Sequence, residues 1–231
     1  MKPVCAVIAF LFLCRGALGA GLESPEAFHR ARNDIPKELP KKLREKLFSA
    51  FSEDRAASGR AAGELVEMGD DAAPAIPFLV RQLAHSLALG SRYVPHTPGI
   101  VAHSVLVRLG KPTVPHLIEG LKAEPPAVRA NAAGLLGRFN DPRAGEPLTA
   151  ALADKEPSVR RAAAEALGLL QFAEAGTALI SLLDDRDPGA RASAAVALGH
   201  LRCHRATREL IPRLKDPDEH VRGSAAWALA E

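Results

Sequence analysis

The chain has 231 residues, 47% of them hydrophobic and 25% charged, with a formal net charge of +3. That balance excludes a disordered chain, which lacks the apolar side chains needed to offset the entropy of ordering. Three cysteines and no Gly-X-Y period exclude disulfide-stapled and collagen-like chains. One Trp and one Tyr are too few for the aromatic platforms on which single-stranded bases stack.

Residues 1–20 have the form of a secretory signal peptide. Lys2 supplies a positive start, Val4 to Leu13 is an almost wholly apolar run, and Ala17-Leu18-Gly19 offers the small-x-small pattern of a cleavage site. About ten apolar residues fall short of the roughly 20 that span a bilayer as a helix. An uncleaved N-terminal anchor is the alternative, and lipid attachment at Cys14 is disfavoured by the bulky Leu13 before it. The expectation is an exported bacterial protein, periplasmic or extracellular, with no membrane span in the mature chain. Removal of the leader takes Lys2 and Arg15, leaving acidic and basic residues almost in balance and no charge argument for nucleic acid. Cys203 alone then remains, so no intramolecular disulfide can form.

Residues 21–53 read as an N-terminal helical cap, broken around Pro36 and Pro40. Two divergent helical units are expected over 54–123. Val114-Pro115-His116-Leu117-Ile118 aligns with Ile76-Pro77-Phe78-Leu79-Val80, and Leu109-Gly110 echoes Met68-Gly69. Between them, residues 87–99 are rich in Gly and Pro, which marks an inserted loop. Insertions in stacked repeats gather on one face and often carry binding.

From about residue 112 a period of 31 governs the chain. Arg129, Arg160, Arg191 and Arg222 fall in one column, Leu136, Leu167, Leu198 and Leu229 in another, and Ala132, Ala163, Ala194 and Ala225 in a third. Gly137, Gly168 and Gly199 follow, with Ala230 in the fourth place. Upstream in each unit lie Leu117, Leu148, Leu179 and Leu210, then Leu121, Leu152, Leu183 and Leu214. Each unit reads as two helices. The first is short, and the second sets Val159, Ala163, Ala166, Leu167 and Leu170 on one apolar stripe at helical period. Pro126, Pro157 and Pro188 stand where a first helical turn tolerates a missing amide hydrogen. One helix pair cannot bury such a stripe, so the pairs must stack. The fold expected is an all-α solenoid of five or six antiparallel helix pairs.

Over residues 54–231 these columns resemble HEAT repeats, and the short unit is most similar to the HEAT-like repeats of the phycobilisome lyase class. Asp154 and Arg160, Asp185 and Arg191, and Asp216 and Arg222 match the Asp/Arg pair of such units, six residues apart. The resemblance implies that the Asp caps a helix and that the Arg column forms a ladder between repeats, weakened where Ala123 replaces Asp. Helix caps and solvated ion pairs account for these residues without a binding role.

Catalytic motifs are scarce. The chain has no G-x-S-x-G elbow, Walker loop, H-E-x-x-H helix or paired CxxC, and no His-Glu dipeptide of the kind that holds iron in the HEAT-repeat deoxyhypusine hydroxylases. His200, Cys203 and His204 would share a helical face and could offer three ligands to zinc or copper. Their columns hold Arg138 and Leu169, then Asp141 and Phe172, in other units, so a turn is the simpler reading and neither metal nor cofactor is expected. His85, His96, His103 and His116 surround the inserted loop without ligand spacing and read as polar surface or loop residues. The lyase resemblance implies, as an alternative, attachment of a bilin to a protein cysteine.

In a right-handed stack the second helices line the concave side. Their non-core stripe comprises Asn131, Gly134 and Arg138; Ala162, Glu165 and Leu169; Ser193, Val196 and His200; and Ser224, Trp227 and Glu231. This mildly polar strip suits a protein or peptide rather than phosphate. Asn131, Arg138, Glu165, His200 and Trp227 are the candidate partner-binding residues of a non-catalytic scaffold. Trp favours interface hot spots, although Trp227 could instead cover the end of the core.

Overall fold

A computed structural model describes residues 25–85 and 96–231. The leader at 1–20 lies outside the described residues, as does most of the inserted loop at 87–99. Every regular element among the described residues is helical. The chain divides into two compact units, residues 1–105 and 106–231.

In the first unit, α1 (Pro25–Asn33) and α2 (Lys41–Ala50) form the cap, and α2 packs against α3 (Arg55–Glu67). Asp54 starts α3 by accepting the backbone N–H groups of Ala56 and Ala57, donors that a helix start otherwise leaves unpaired. A 3-10 turn over Gly69–Ala75 leads into α4 (Ile76–Gln82). The core gathers Phe28, Leu43, Leu47, Phe51, Leu65 and Phe78, all nearly inaccessible to solvent, with Phe51 edge-on to Phe78. His96 stacks on Phe28 with 4.8 Å between ring centroids, and its Nε2 lies 2.9 Å from the Ser52 carbonyl oxygen. Of the two expectations for this histidine, polar surface or loop residue, it is the loop residue, and its ring packs half-buried against α1.

The helix α5 (Pro98–Leu109) runs from the first unit into the second. The second unit then stacks four helix pairs: α6 (Val114–Gly120) with α7 (Pro126–Phe139), α8 (Gly145–Ala151) with α9 (Pro157–Leu170), α10 (Gly176–Leu182) with α11 (Pro188–His200), and α12 (Thr207–Leu210) with α13 (Glu219–Ala230). Pro126, Pro157 and Pro188 each open a second helix. Asn140, Gln171 and Arg202 turn the chain back with φ of 49°, 53° and 47°, a left-handed step that ends the helix. Val159, Ala163, Ala166, Leu167 and Leu170 are buried as the stripe requires, and Leu148, Leu179 and Leu210 face them. The architecture is an all-α solenoid of stacked antiparallel pairs. One column departs from its period: Leu121, Leu152 and Leu183 are buried, whereas Leu214 is 41% exposed.

Candidate functional site

The second helices α7, α9, α11 and α13 pack side by side in sequence order, and two repeated contacts set their spacing. The first is steric. A Cβ on Gly137 would stand 2.7 Å from the Cα of Ala166, and one on Gly168 or Gly199 would stand 3.0 Å from the Cα of Ala197 or Ala228. A side chain at Gly137 or Gly199 would force a shift and one at Gly168 would be tightly crowded, so glycine lets each helix backbone approach the next.

The second contact is ionic. Arg129 donates from Nε and Nη2 to both carboxylate oxygens of Asp154, at 2.7 and 2.8 Å. Arg160 holds Asp185 in the same way, and Arg191 holds Asp216. Each Nη1 turns back to the loop before its own helix, to the carbonyl oxygens of Ala123 and Glu124, Asp154 and Lys155, or Asp185 and Arg186. Each Asp also accepts the backbone N–H two residues on, from Glu156, Asp187 or Asp218. The Asp residues thus close the loops, while Asp187 and Asp218 cap α11 and α13.

The sequence leads to an expectation of solvated pairs, and the structure corrects it: no side chain in them is more than 14% exposed. Packing of the next helix pair over the guanidinium excludes water. Burial is the largest single influence on Asp154 and Asp185 and works to raise their pKa, but the arginine hydrogen bond, the backbone N–H and the nearby positive charge together outweigh it, and both carboxyls are held below the usual range. Asp216 is held down chiefly by Arg191. The arginines are pushed up by their Asp partners. Ala123 does not weaken the Arg129 bond; it ends the ladder, because the ladder runs from each Arg to the Asp 25 residues later.

This framework positions the five candidate residues. Asn131 is half-buried on α7, and Arg138 is exposed at the last turn of that helix. Glu165 is exposed on α9, where its Oε1 accepts the Ser193 hydroxyl of α11 at 2.9 Å. That bond takes Ser193 out of the expected open stripe, and it is 7% exposed. His200 closes α11 and meets Trp227 of α13 edge-on, with 5.0 Å between centroids. A Cβ on Gly199 would lie 2.6 Å from the Trp227 ring, so the indole packs over the preceding helix. It remains 38% exposed, and Leu169 on α9 is 57% exposed. Leu169, His200 and Trp227 therefore place exposed apolar and aromatic surface on three successive second helices. A cleft lined by Gln171, Ala173, Gly199, His200, Leu201, Arg202 and Glu231 adjoins His200.

The expectation that His200, Cys203 and His204 share a helical face is corrected. The helix ends at His200, Arg202 adopts φ 47°, and His204 begins a separate 3-10 turn. Cys203 Sγ packs toward Gly176. No cluster of three or more His, Cys, Asp or Glu suited to a metal occurs among the described residues. The Glu165–Ser193 bond left no mark in the sequence, since the period shows columns and not which neighbours pair across them.

Stacked helix pairs with a glycine seam and an Arg–Asp ladder define a repeat solenoid of the HEAT type. The family model for HEAT repeats matches residues 114–195 and 176–231, together half of the chain, and the protein belongs to the HEAT-repeat family. Among solved structures it is similar to the complex of CpcE and CpcF of phycocyanin lyase from Nostoc. Identity there is 27% with a TM-score of 0.57, over 67% of this chain and 98% of that one. Two engineered proteins share the fold, each at 20% identity over 83% of this chain. Their TM-scores are 0.52 and 0.50, with 96% and 98% of the engineered chains covered. No curated protein matches the sequence.

Proposed function

We propose that the protein is an exported, non-catalytic scaffold that binds a protein or peptide on the surface of its second helices, the side expected to be concave. The observation that carries this reading is the line of exposed Leu169, His200 and Trp227 across α9, α11 and α13. A solvent-exposed apolar and aromatic strip, rimmed by Glu165 and Arg138, has the composition of an interface centre with a polar rim. Stacked repeats present such surfaces on a rigid frame. The match to a complex of two proteins supports a binding role. Export rests on Lys2, the apolar run Val4–Leu13 and Ala17-Leu18-Gly19; among the described residues no helix is long and apolar enough to cross a membrane.

The test is to immobilise the chain from Ala20 onward and identify what it retains from an envelope extract of the source cells. A Trp227→Ala and Glu165→Lys double variant of unchanged melting temperature serves as control. A defined protein held by the parent and lost by the variant supports the scaffold. Retention unaffected by the variant contradicts it.

The match to phycocyanin lyase favours one second reading, a lyase-type role in attaching a bilin to a protein cysteine. It is distinguished by incubating the chain with bilin and apo-phycocyanin. Accelerated covalent attachment would replace the scaffold reading.

A further inference from the structure

Polar residues that are buried whole find a partner inside the molecule, with one exception among the described residues. The Ser58 hydroxyl donates to the Ala50 carbonyl oxygen, and that of Thr113 to Gly110. Thr97 accepts the Ile100 N–H, Ser193 donates to Glu165, and Arg129, Asp141 and Asp216 are held in charged pairs. Gln82 on α4 is 7% exposed, yet no group among the described residues hydrogen-bonds its carboxamide. A buried amide left in that state costs stability unless something else satisfies it. Gly120, Ala151 and Leu182 stand in the same column of the next three helix pairs, so the core does not require a polar group there.

Gln82 lines a cleft of about 410 Å³ between α1 and α4, within the range of roughly 300–1,000 Å³ for small-ligand sites. Phe78, Arg81 and Gln82 share one face of α4 by their i, i+3, i+4 spacing. From α1 come Arg30, Ala31 and Asp34. Asp34 lies one turn beyond Arg30, whose carbonyl oxygen accepts its N–H at 3.0 Å. Phe78 and Ala31 are 1% and 2% exposed and form an apolar floor. Arg81 and Asp34 are exposed at the mouth and opposite in charge, but neither pairs with the other or with any other described residue. Arg30 has only the exposed Glu26, at 3.8 Å.

We propose that this cleft binds a small zwitterion, a free α-amino acid or a short peptide. Arg81, joined by Arg30, takes the ligand carboxylate through a guanidinium fork. Asp34 takes the ammonium, and the Gln82 carboxamide, donor and acceptor at once, bonds the polar atoms between them. The mixture of groups selects this chemistry. A phosphate dianion would meet the Asp34 charge, a simple amine would meet two guanidinium groups, and an apolar ligand would leave Gln82 unpaired.

The test is a thermal-shift screen of the full chain with each common α-amino acid and with L-alanyl-L-alanine, followed by calorimetric titration of the strongest. Saturable binding of a single ligand per chain is expected, with Tm raised by about 2 °C or more. Arg81→Ala and Asp34→Asn are each expected to weaken it about tenfold or more. Gln82→Leu is expected to weaken binding similarly while Tm of the free chain holds or rises, because the change removes an unpaired amide. A merely structural Gln82 would lower Tm when replaced. Propionate and ethylamine, each bearing one end of the zwitterion, are expected to bind at least about tenfold more weakly. Binding of amino acids but not the dipeptide, or the reverse, supports the proposal and names the source. No binding by any of these zwitterions overturns it, as does binding indifferent to Arg81→Ala and Asp34→Asn. Phosphate binding more tightly than every zwitterion overturns it in favour of an anion site.

Discussion

Arg160 grips Asp185 with a full edge of its guanidinium, Nε to Oδ2 at 2.7 Å and Nη2 to Oδ1 at 2.6 Å, across 25 residues of chain. The third nitrogen is turned back to the carbonyl oxygens of Asp154 and Lys155. One side chain therefore closes its own loop and fastens the next repeat. Planar, bidentate geometry of this kind is specific to arginine.

Removing that side chain leaves Asp185 in a dry position and two carbonyl oxygens without their donor. Arg160→Ala is expected to cost about 3 kcal/mol, the range for breaking a buried pair on one side. Denaturant unfolding measures it; a loss under about 0.5 kcal/mol would place the pair among solvated surface bridges. Arg160→Lys, which keeps the charge but not the fork, is expected to recover only part of the loss.

Asp154, Asp185 and Asp216 all titrate below an ordinary carboxylate. In acid the unfolded chain therefore takes up these protons before the folded one. The stability they contribute is complete above the unfolded value near about pH 4 and disappears as pH falls through the lowered folded values. Tm followed from about pH 6 down to about pH 2 is expected to hold steady and then drop. The drop is expected to be shallower in Asp185→Asn.

The glycine seam gives a paired prediction. Alanine in a helix interior normally stabilises by up to about 1 kcal/mol over glycine. Gly134, with open space where a Cβ would sit, follows that rule, so Gly134→Ala is expected to raise Tm. Gly137→Ala, three residues on, would drive a methyl into the Ala166 backbone and is expected to lower it.

Leu167 is fully buried in the second-helix stripe. Leu167→Ala is expected to cost about 2–5 kcal/mol, the range for a leucine truncation that leaves a cavity. The same change at Leu214 is expected to cost much less, since that residue is already 41% exposed.

Helix pairs, their order and the buried leucine columns were legible because a period of 31 repeats the same burial pattern four times. Dryness of the Arg–Asp ladder was not, since spacing names the partners and only packing decides how much water reaches them. The stacking of His96 on Phe28 escaped for a related reason. It joins residues 68 positions apart, and neither lies in a repeated column. At the candidate surface, the period placed Glu165, His200 and Trp227 on second helices. It could not show that Glu165 holds Ser193 or that Trp227 covers Gly199, because both contacts cross between helices.

The central claim is that the strip through Leu169, His200 and Trp227 contacts a partner. A photo-crosslinking residue at Leu169, expressed in the source cells beside a control at exposed Lys155, tests it most directly. A discrete protein adduct at Leu169, absent from Lys155 and lost with Trp227→Ala, is the result expected. Equal adducts at both positions, or adducts only at Lys155, would contradict the account.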